Sequence, residues 1–485
     1  MAAREMGMRG RWAMVGLAFG VALLGRFAPV PASIATIGDA TLTSDGLAAM
    51  GVLLFTLLLW LTEAIPFHIT GLLGVILLSV FGVDSFASVV SVGFGNHIVA
   101  FFIGVLVLSS FITSSGLGNR ISVYLLSKTG NRTSMILLGF MTVGALISAW
   151  ITDTAVAAML MPLGAAILRE EGVEPLKSNF GKALMISCAW GPTVGGIMTP
   201  AGAGPNPIAI GFLQEMAGVE LTFLGWMMFG VPAGLLILLP TWGVLMLVFP
   251  PEMKRLTKTR AEMQAEFRAL PPMHREEKVT LGIFLTTVAL WLSTPLWESL
   301  LGISIPISLP VLLTAAVFFF PGVASTSWTA VEKDVSWSSI ILILSGISLG
   351  MVLFRTGAAE WLSLATLGGI GSLHPFMLVL LVVLIVSLIK IFLSSNTVTA
   401  SIMIPIMITL AAAVGLDALT VTMPAALTAS MAFIMVTSTP TNVIPYTAGY
   451  FSIRDFAFGG LIVSLVSAPI VAAVIYGIGL LTGLY

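Results

Sequence analysis

The chain has 485 residues, of which 58% are apolar and only 9% charged. A soluble domain carries about a quarter charged residues, so this sequence cannot cover itself against water and reads as an all-α polytopic membrane protein. Its 21 basic and 22 acidic residues leave a formal net charge of −1, with no surplus to hold a nucleic acid or an anionic surface.

A helix needs about 20 apolar residues to cross roughly 30 Å of hydrocarbon. In chain order, spans are predicted near 12–28, 47–64, 66–82, 97–116, 183–213, 223–249, 279–300, 306–321, 337–354, 422–450 and 458–482. The first, starting at Trp12, reads as a retained helix and not a cleaved signal, because many apolar runs follow it. With the N-terminus in the cytoplasm, all of the 21 basic residues except Arg26, Arg355 and Lys390 fall on the inner side, so the opposite orientation is rejected. The one long polar stretch, 251–278, reads as a solvated cytoplasmic connector, with an amphipathic surface helix as the alternative. Cys188 has no partner cysteine, and four scattered histidines make no zinc motif.

Two apolar segments, 134–168 and 375–416, are interrupted. Arg132 and Arg169 both belong inside, so the chain between them enters and leaves by the same face. Midway stands Thr152-Asp153-Thr154, and only the stretch Ala155 to Leu168, with Pro162 in it, remains before Arg169. As a helix that stretch reaches about 21 Å, too short for a span, so a re-entrant hairpin with its triplet near the midplane is predicted. The second segment repeats the pattern with Ser395-Asn396-Thr397 and Pro405; triplets and prolines are both 243 positions apart. Downstream, a turn from Thr199 to Asn206 matches one from Thr437 to Asn442, the asparagines lying 236 apart.

Once the first helix is set aside, an odd number of spans falls in each copy, which makes the copies inverted. The expected organisation is a first span and outer loop at 1–46, a first repeat at 47–250 with a hairpin entering from the cytoplasm, the linker 251–278, and a second repeat at 279–485 with a hairpin entering from outside. Inverted repeats with broken helices mark secondary transporters. Irregular backbone at membrane depth must line a protein-bounded or wet cavity, so four broken elements point to one buried site.

Hairpin tips expose helix N-termini, which favour anions, and their hydroxyl and amide side chains can bond a carboxylate or oxyanion. The same turns present carbonyl and hydroxyl oxygens that suit sodium. A single such triplet would read as helix glue; two in register, each followed by a Pro/Asn turn, favour function. Charges at depth are costly unless paired or hydrated, which singles out Asp153 and Lys390; their opposite arms could bring them together as an ion pair, with snorkelling to the outer surface the alternative for Lys390. Glu63, in the stretch TEAIP, is explained as well by capping as by transport, and His68 and His97 read as structural. An intramembrane hydrolase is disfavoured: there is no HExxH, and Asp153 has no second acid at comparable depth. A passive channel is disfavoured because buried binding tips suit alternating access.

The stretch LWLTEAIPFHITGLLGVILL at 59–78, the two triplets with their continuations, and the two Asn-ending turns resemble the divalent anion:sodium symporters, the INDY-type di- and tricarboxylate and sulfate transporters. The resemblance runs from about residue 47 to the C-terminus. It implies eleven transmembrane helices plus two re-entrant hairpins, a homodimer in a bacterial inner membrane, elevator motion, and an outside C-terminus. It also implies substrate held between the tips, by Thr152, Asp153, Thr154, Ser395, Asn396, Thr397, Thr439 and Pro440. A first sodium site maps to Ser148, Thr152, Asp153 and Gly202. A second maps to Asn396 and Ser438, with Ser394 as an addition.

Three departures stand out from the family pattern. The first triplet has Asp153 where the family usually has Asn, a change that strengthens a cation site and repels a dianion. Ile391 stands where sodium-dependent members tend to have a hydroxyl ligand, and the adjacent Lys390 offers a fixed ammonium that could replace the second sodium and balance Asp153. Ala203-Gly204 replaces a Thr/Ser-Pro pair. The expected function is sodium-coupled import of a C4-dicarboxylate such as succinate. Sodium-independent anion exchange and sulfate-type oxyanion transport are the alternatives.

Overall fold

The computed structural model describes residues 7–33, 35–258, 260–369, 373–393 and 395–484, apart from the side chains at 260, 263 and 266. Among these residues it has 22 α-helices and one small ribbon, Thr36–Ile37 paired antiparallel with Ala40–Thr41. Eight helices are long and apolar enough to cross a membrane: Ser44–Thr62, His97–Ser114, Phe223–Val248, Arg275–Leu301, Trp337–Arg355, Pro375–Phe392, Asn396–Ala413 and Ile453–Thr482. The chain is an integral membrane protein of polytopic helical design.

The interrupted segments are helix pairs. Thr133–Ser148 is followed by Asp153–Glu170, and Pro375–Phe392 by Asn396–Ala413. The apolar runs 183–213 and 422–450 are broken too. The first divides into Asn179–Gly196 and Pro205–Ala217; the second into Ala418–Ser430, a 3-10 turn at Val436–Ser438, and Pro440–Tyr446. Pro205 and Pro440 each stand at the first position of the resumed helix, where a missing N–H costs nothing. Asp153 opens its helix at the end that favours a negative charge.

The linker contains the helix that its alternative reading allows, and most of its described residues are exposed. Arg260–Ala269 is a helix, and the Phe267 ring packs tilted by 53° against Tyr124 of the helix Leu117–Leu126 at 5.1 Å between ring centres. The neighbouring chain pins the base of the first helix pair: Leu256 donates its amide to the Asn131 carbonyl at 2.8 Å, and the Thr133 hydroxyl donates to the Met253 carbonyl at 2.7 Å. Arg120 clasps Glu277 at 2.7 and 3.0 Å, joining the start of Arg275–Leu301 to the same corner.

What places the first tip is a close helix crossing. Asn179–Gly196 lies along Thr133–Ser148 with Gly191 and Gly195 facing it. A Cβ on Gly191 would stand 2.8 Å from both Cα and the carbonyl oxygen of Met141, and one on Gly195 would overlap the Ala145 carbonyl. Small residues four apart let two backbones touch. Gly195→Ala should therefore destabilise the fold by about 1–3 kcal/mol through overpacking. Gly477→Ala, whose Cβ would meet nothing within 4 Å, should leave the thermal unfolding midpoint unchanged. Equal midpoints for the two variants in detergent would refute this account of the crossing.

Candidate functional site

Each broken run is held open by one asparagine. Asn206 donates its amide to the carbonyls of Gly196 and Thr199, both at 2.7 Å. Asn442 donates to those of Ala432 at 2.6 Å and Met435 at 3.2 Å. In both turns the acceptors stand ten and seven positions before the asparagine. The Gly196 carbonyl ends its helix, where acceptors have no helical partner, while those of Thr199, Ala432 and Met435 lie in the turns beyond the helix ends; a buried carbonyl left without bonds would cost about 1–3 kcal/mol. The Trp226 indole adds a bond to the Ile197 carbonyl at 3.0 Å. Asn206 Oδ1 in turn accepts from the Ser430 hydroxyl at 3.1 Å. Asn442 Oδ1 is buried without a partner, and the position 236 before Ser430 is Val194, which has nothing to donate.

The helix pairs bring their tips to these turns. Asp153 donates its amide to the Gly202 carbonyl at 3.0 Å, and its carboxylate accepts from the Thr154 amide at 2.7 Å and the Thr154 hydroxyl at 3.3 Å. Thr154 Oγ1 lies 3.0 Å from Thr441 Oγ1, which accepts from the Thr439 hydroxyl at 3.2 Å. Since a hydroxyl has one proton to give, the series has one direction: Thr439 to Thr441 to Thr154 to the carboxylate. At the other tip, Ser395 caps its helix by accepting from the Val398 amide at 3.4 Å.

These elements enclose a cavity of about 720 Å³. Thr152, Asp153, Thr154, Ser395, Asn396, Thr397, Thr439 and Pro440 all line it. Ser148, Gly202 and Ser438 stand behind the lining, and Ser148 and Ser438 are buried. The carbonyls of Ser148 and Gly196 each lie 2.6 Å from where a Gly202 Cβ would stand. A Cβ on Gly196 would lie 3.4 Å from the Gly202 carbonyl and 3.5 Å from Asp153 Cβ. The Ser148 hydroxyl is buried there without a partner. Carbonyl oxygens, a hydroxyl and a carboxylate in so small a volume form a donor set for a hard cation.

Lys390 is not bound to Asp153, which departs from the ion pair that their opposite arms allowed. Its ammonium donates to Asn396 Oδ1 and to the Ala429 carbonyl, because its helix carries it to the back of its own tip. Ser394 lies outside the described residues. The cavity also includes residues the sequence reading passed over. Asp334 accepts from the Ser110 hydroxyl at 2.9 Å, and both line the cavity with Glu63 and His68. Glu63 occupies the left-handed region at φ 50°, a conformation rare outside glycine, where the helix Ser44–Thr62 ends. TEAIP marked Glu63 in the sequence; nothing there marked Asp334, a single acid just ahead of an apolar run.

The family profile described as the sodium:sulfate symporter transmembrane region matches residues 16–482. The sodium-dependent dicarboxylate transporter SdcS of Staphylococcus saprophyticus is 30% identical over 456 residues, covering 90% of this chain and 86% of the relative. SdcS of Staphylococcus aureus strain USA300 is 30% identical over 451 residues, covering 89% and 85%. Among solved structures, the YdaH transporter of Alcanivorax borkumensis matches with a TM-score of 0.55 at 16% identity, over 98% of this chain and 97% of that one. The YdaH likeness concerns the fold alone. This chain belongs to the divalent anion:sodium symporter family, and it is a membrane transporter and not an enzyme.

The asparagine turns give a test of the site's construction. Asn206→Ala takes away the donor of the Gly196 carbonyl and leaves that of Thr199 only the Gly202 amide at 3.3 Å, which should cost about 2 kcal/mol while weakening substrate binding. Ser430→Ala, which removes only the bond to Asn206 Oδ1, should do less of both. Thermal unfolding and ligand binding of the two purified variants check the order, and the reverse order would sink it.

Proposed function

We propose that this protein carries C4-dicarboxylates together with sodium across a bacterial plasma membrane, holding the anion between the tips at Asp153 and Asn396. The observation that carries this reading is the convergence of all eight lining residues named above on one cavity. Two helices, Asp153–Glu170 and Asn396–Ala413, begin there, each turning a positive dipole end toward an anion. A dicarboxylate has a charge at each end, one for each tip. The names of the SdcS relatives support the same substrate and ion.

Asp153 sets the order of events. Its carboxylate repels a dianion until a cation enters the cage of Ser148, Thr152, Asp153 and Gly202, so sodium binds first and the anion second. In this reading 47–250 and 279–485 are inverted repeats joined by 251–278. The fold then amounts to eleven spans plus two re-entrant hairpins, with the N-terminus inside and the C-terminus outside. The chain works as a homodimer whose tip-bearing part moves as an elevator. The recurrence of the asparagine bonds at a constant spacing supports the repeat. One observation favours exchange of one dianion for another as a second mode: an ammonium already occupies the back of the second tip.

Asn396→Ala should abolish succinate binding, and wild-type uptake by that variant would refute the site. Asp153→Asn should weaken sodium activation at least about tenfold, or ~1.4 kcal/mol. The deciding experiment is labelled succinate uptake into proteoliposomes, with and without an inward sodium gradient and with and without internal succinate. Sodium-driven uptake into empty vesicles is the expected result. Uptake that needs only internal succinate would replace it with exchange, and none under any condition would overturn the substrate.

A further inference from the structure

Lys390 gives the second tip a charge that the first does not have. It is 4% exposed, so it has not escaped to the surface, and it stands behind the cavity lining. Both of its hydrogen bonds go to neutral oxygens, Asn396 Oδ1 and the Ala429 carbonyl. An ammonium held by an amide oxygen and a main-chain carbonyl sits where a small cation would take the same ligands.

The two halves sharpen the comparison. At the spacings of 243 and 236, Ser148, Asp153 and Gly202 correspond to Ile391, Asn396 and Ser438. The first set has a carboxylate and a buried hydroxyl without a partner, and its cation must come from solution. The second set has an aliphatic side chain in place of that hydroxyl and a neutral amide in place of the carboxylate. Its cation comes with the chain.

We propose that Lys390 is a tethered cation taking the place of a mobile sodium ion at the second tip, so that the two tips together bind one sodium ion, in the first cage. The same ammonium is a positioning device. Because Asn396 Oδ1 accepts from Lys390, the Asn396 amide N–H groups are left to face the cavity, where they donate to a substrate carboxylate.

This inference rests on the sodium-coupled reading, and a binding count separates the two. Equilibrium binding of radioactive sodium to the purified full-length protein should give one ion per chain. Lys390→Met combined with Ile391→Ser removes the ammonium and restores the hydroxyl that Ser148 supplies in the first half; it should bind two. Lys390→Arg, which keeps the charge, should stay at one and serves as the folding control. Two ions in the wild type, or a count that stays unchanged in a folded double variant, overturns the proposal. A wild type that binds none overturns sodium coupling instead, while a gain of one ion in the double variant still identifies Lys390 as the occupant. One bound ion without dicarboxylate uptake overturns only the substrate.

Discussion

A helix that stops inside a membrane protein leaves backbone carbonyls and amides that no water can reach, and everything at the centre of this molecule answers that constraint. The helices Asn179–Gly196 and Ala418–Ser430 both stop short, and each is made safe by one asparagine that reaches back to two carbonyls. Once those turns are fixed, the chain after each has one place to resume, with a proline at its start. The tip of the first broken pair then settles against both, Asp153 through the Gly202 carbonyl and Thr154 through Thr441, while Lys390 ties the second pair to the Ala429 carbonyl. The cavity is what remains between ends that could not be joined.

The two halves share a plan and differ where it matters chemically. Ser430 reaches Asn206 across the halves, while Val194, in the matching place, leaves Asn442 Oδ1 bare. Aspartate faces asparagine and serine faces isoleucine across the same correspondence. The directed series from Thr439 to the Asp153 carboxylate crosses from one half to the other. The shared bonds at the two asparagines make the frame alike, and substitutions of a few atoms make its two ends chemically unlike.

The helical class, six of the spans and the two interrupted segments were legible because hydropathy reports burial over lengths of about 20 residues. The tips were legible because polar triplets within apolar runs recur at one spacing together with their prolines. What escaped is what such patterns do not encode. Phe86–Phe94 and Ala358–Leu367 are too short to register as spans. The cage at Gly202 is made mainly of main-chain oxygens, which look the same under every side chain. Asp334 joins the cavity only because Trp328–Asp334 folds back beside His97–Ser114 and meets Ser110. Lys390 was visible as a charge in an apolar run, but the direction of its side chain was not, and that direction takes it to Asn396 and not to Asp153.

A charge that belongs to the chain goes out and comes back with it, so Lys390 contributes nothing to the net charge moved in a cycle. If the ammonium stands in for one of two sodium ions, a dianion crosses with a single positive companion, and each import step carries one negative charge inward. An interior at about −100 mV opposes that step by about 2.3 kcal/mol, more than the ~1.4 kcal/mol that a tenfold sodium gradient supplies per ion. Swapping an outside dianion for an inside one moves no net charge and is indifferent to voltage. On the proposed count of one sodium ion, a lysine turned toward its own tip leaves sodium-driven import working against the voltage that an exchange step does not feel.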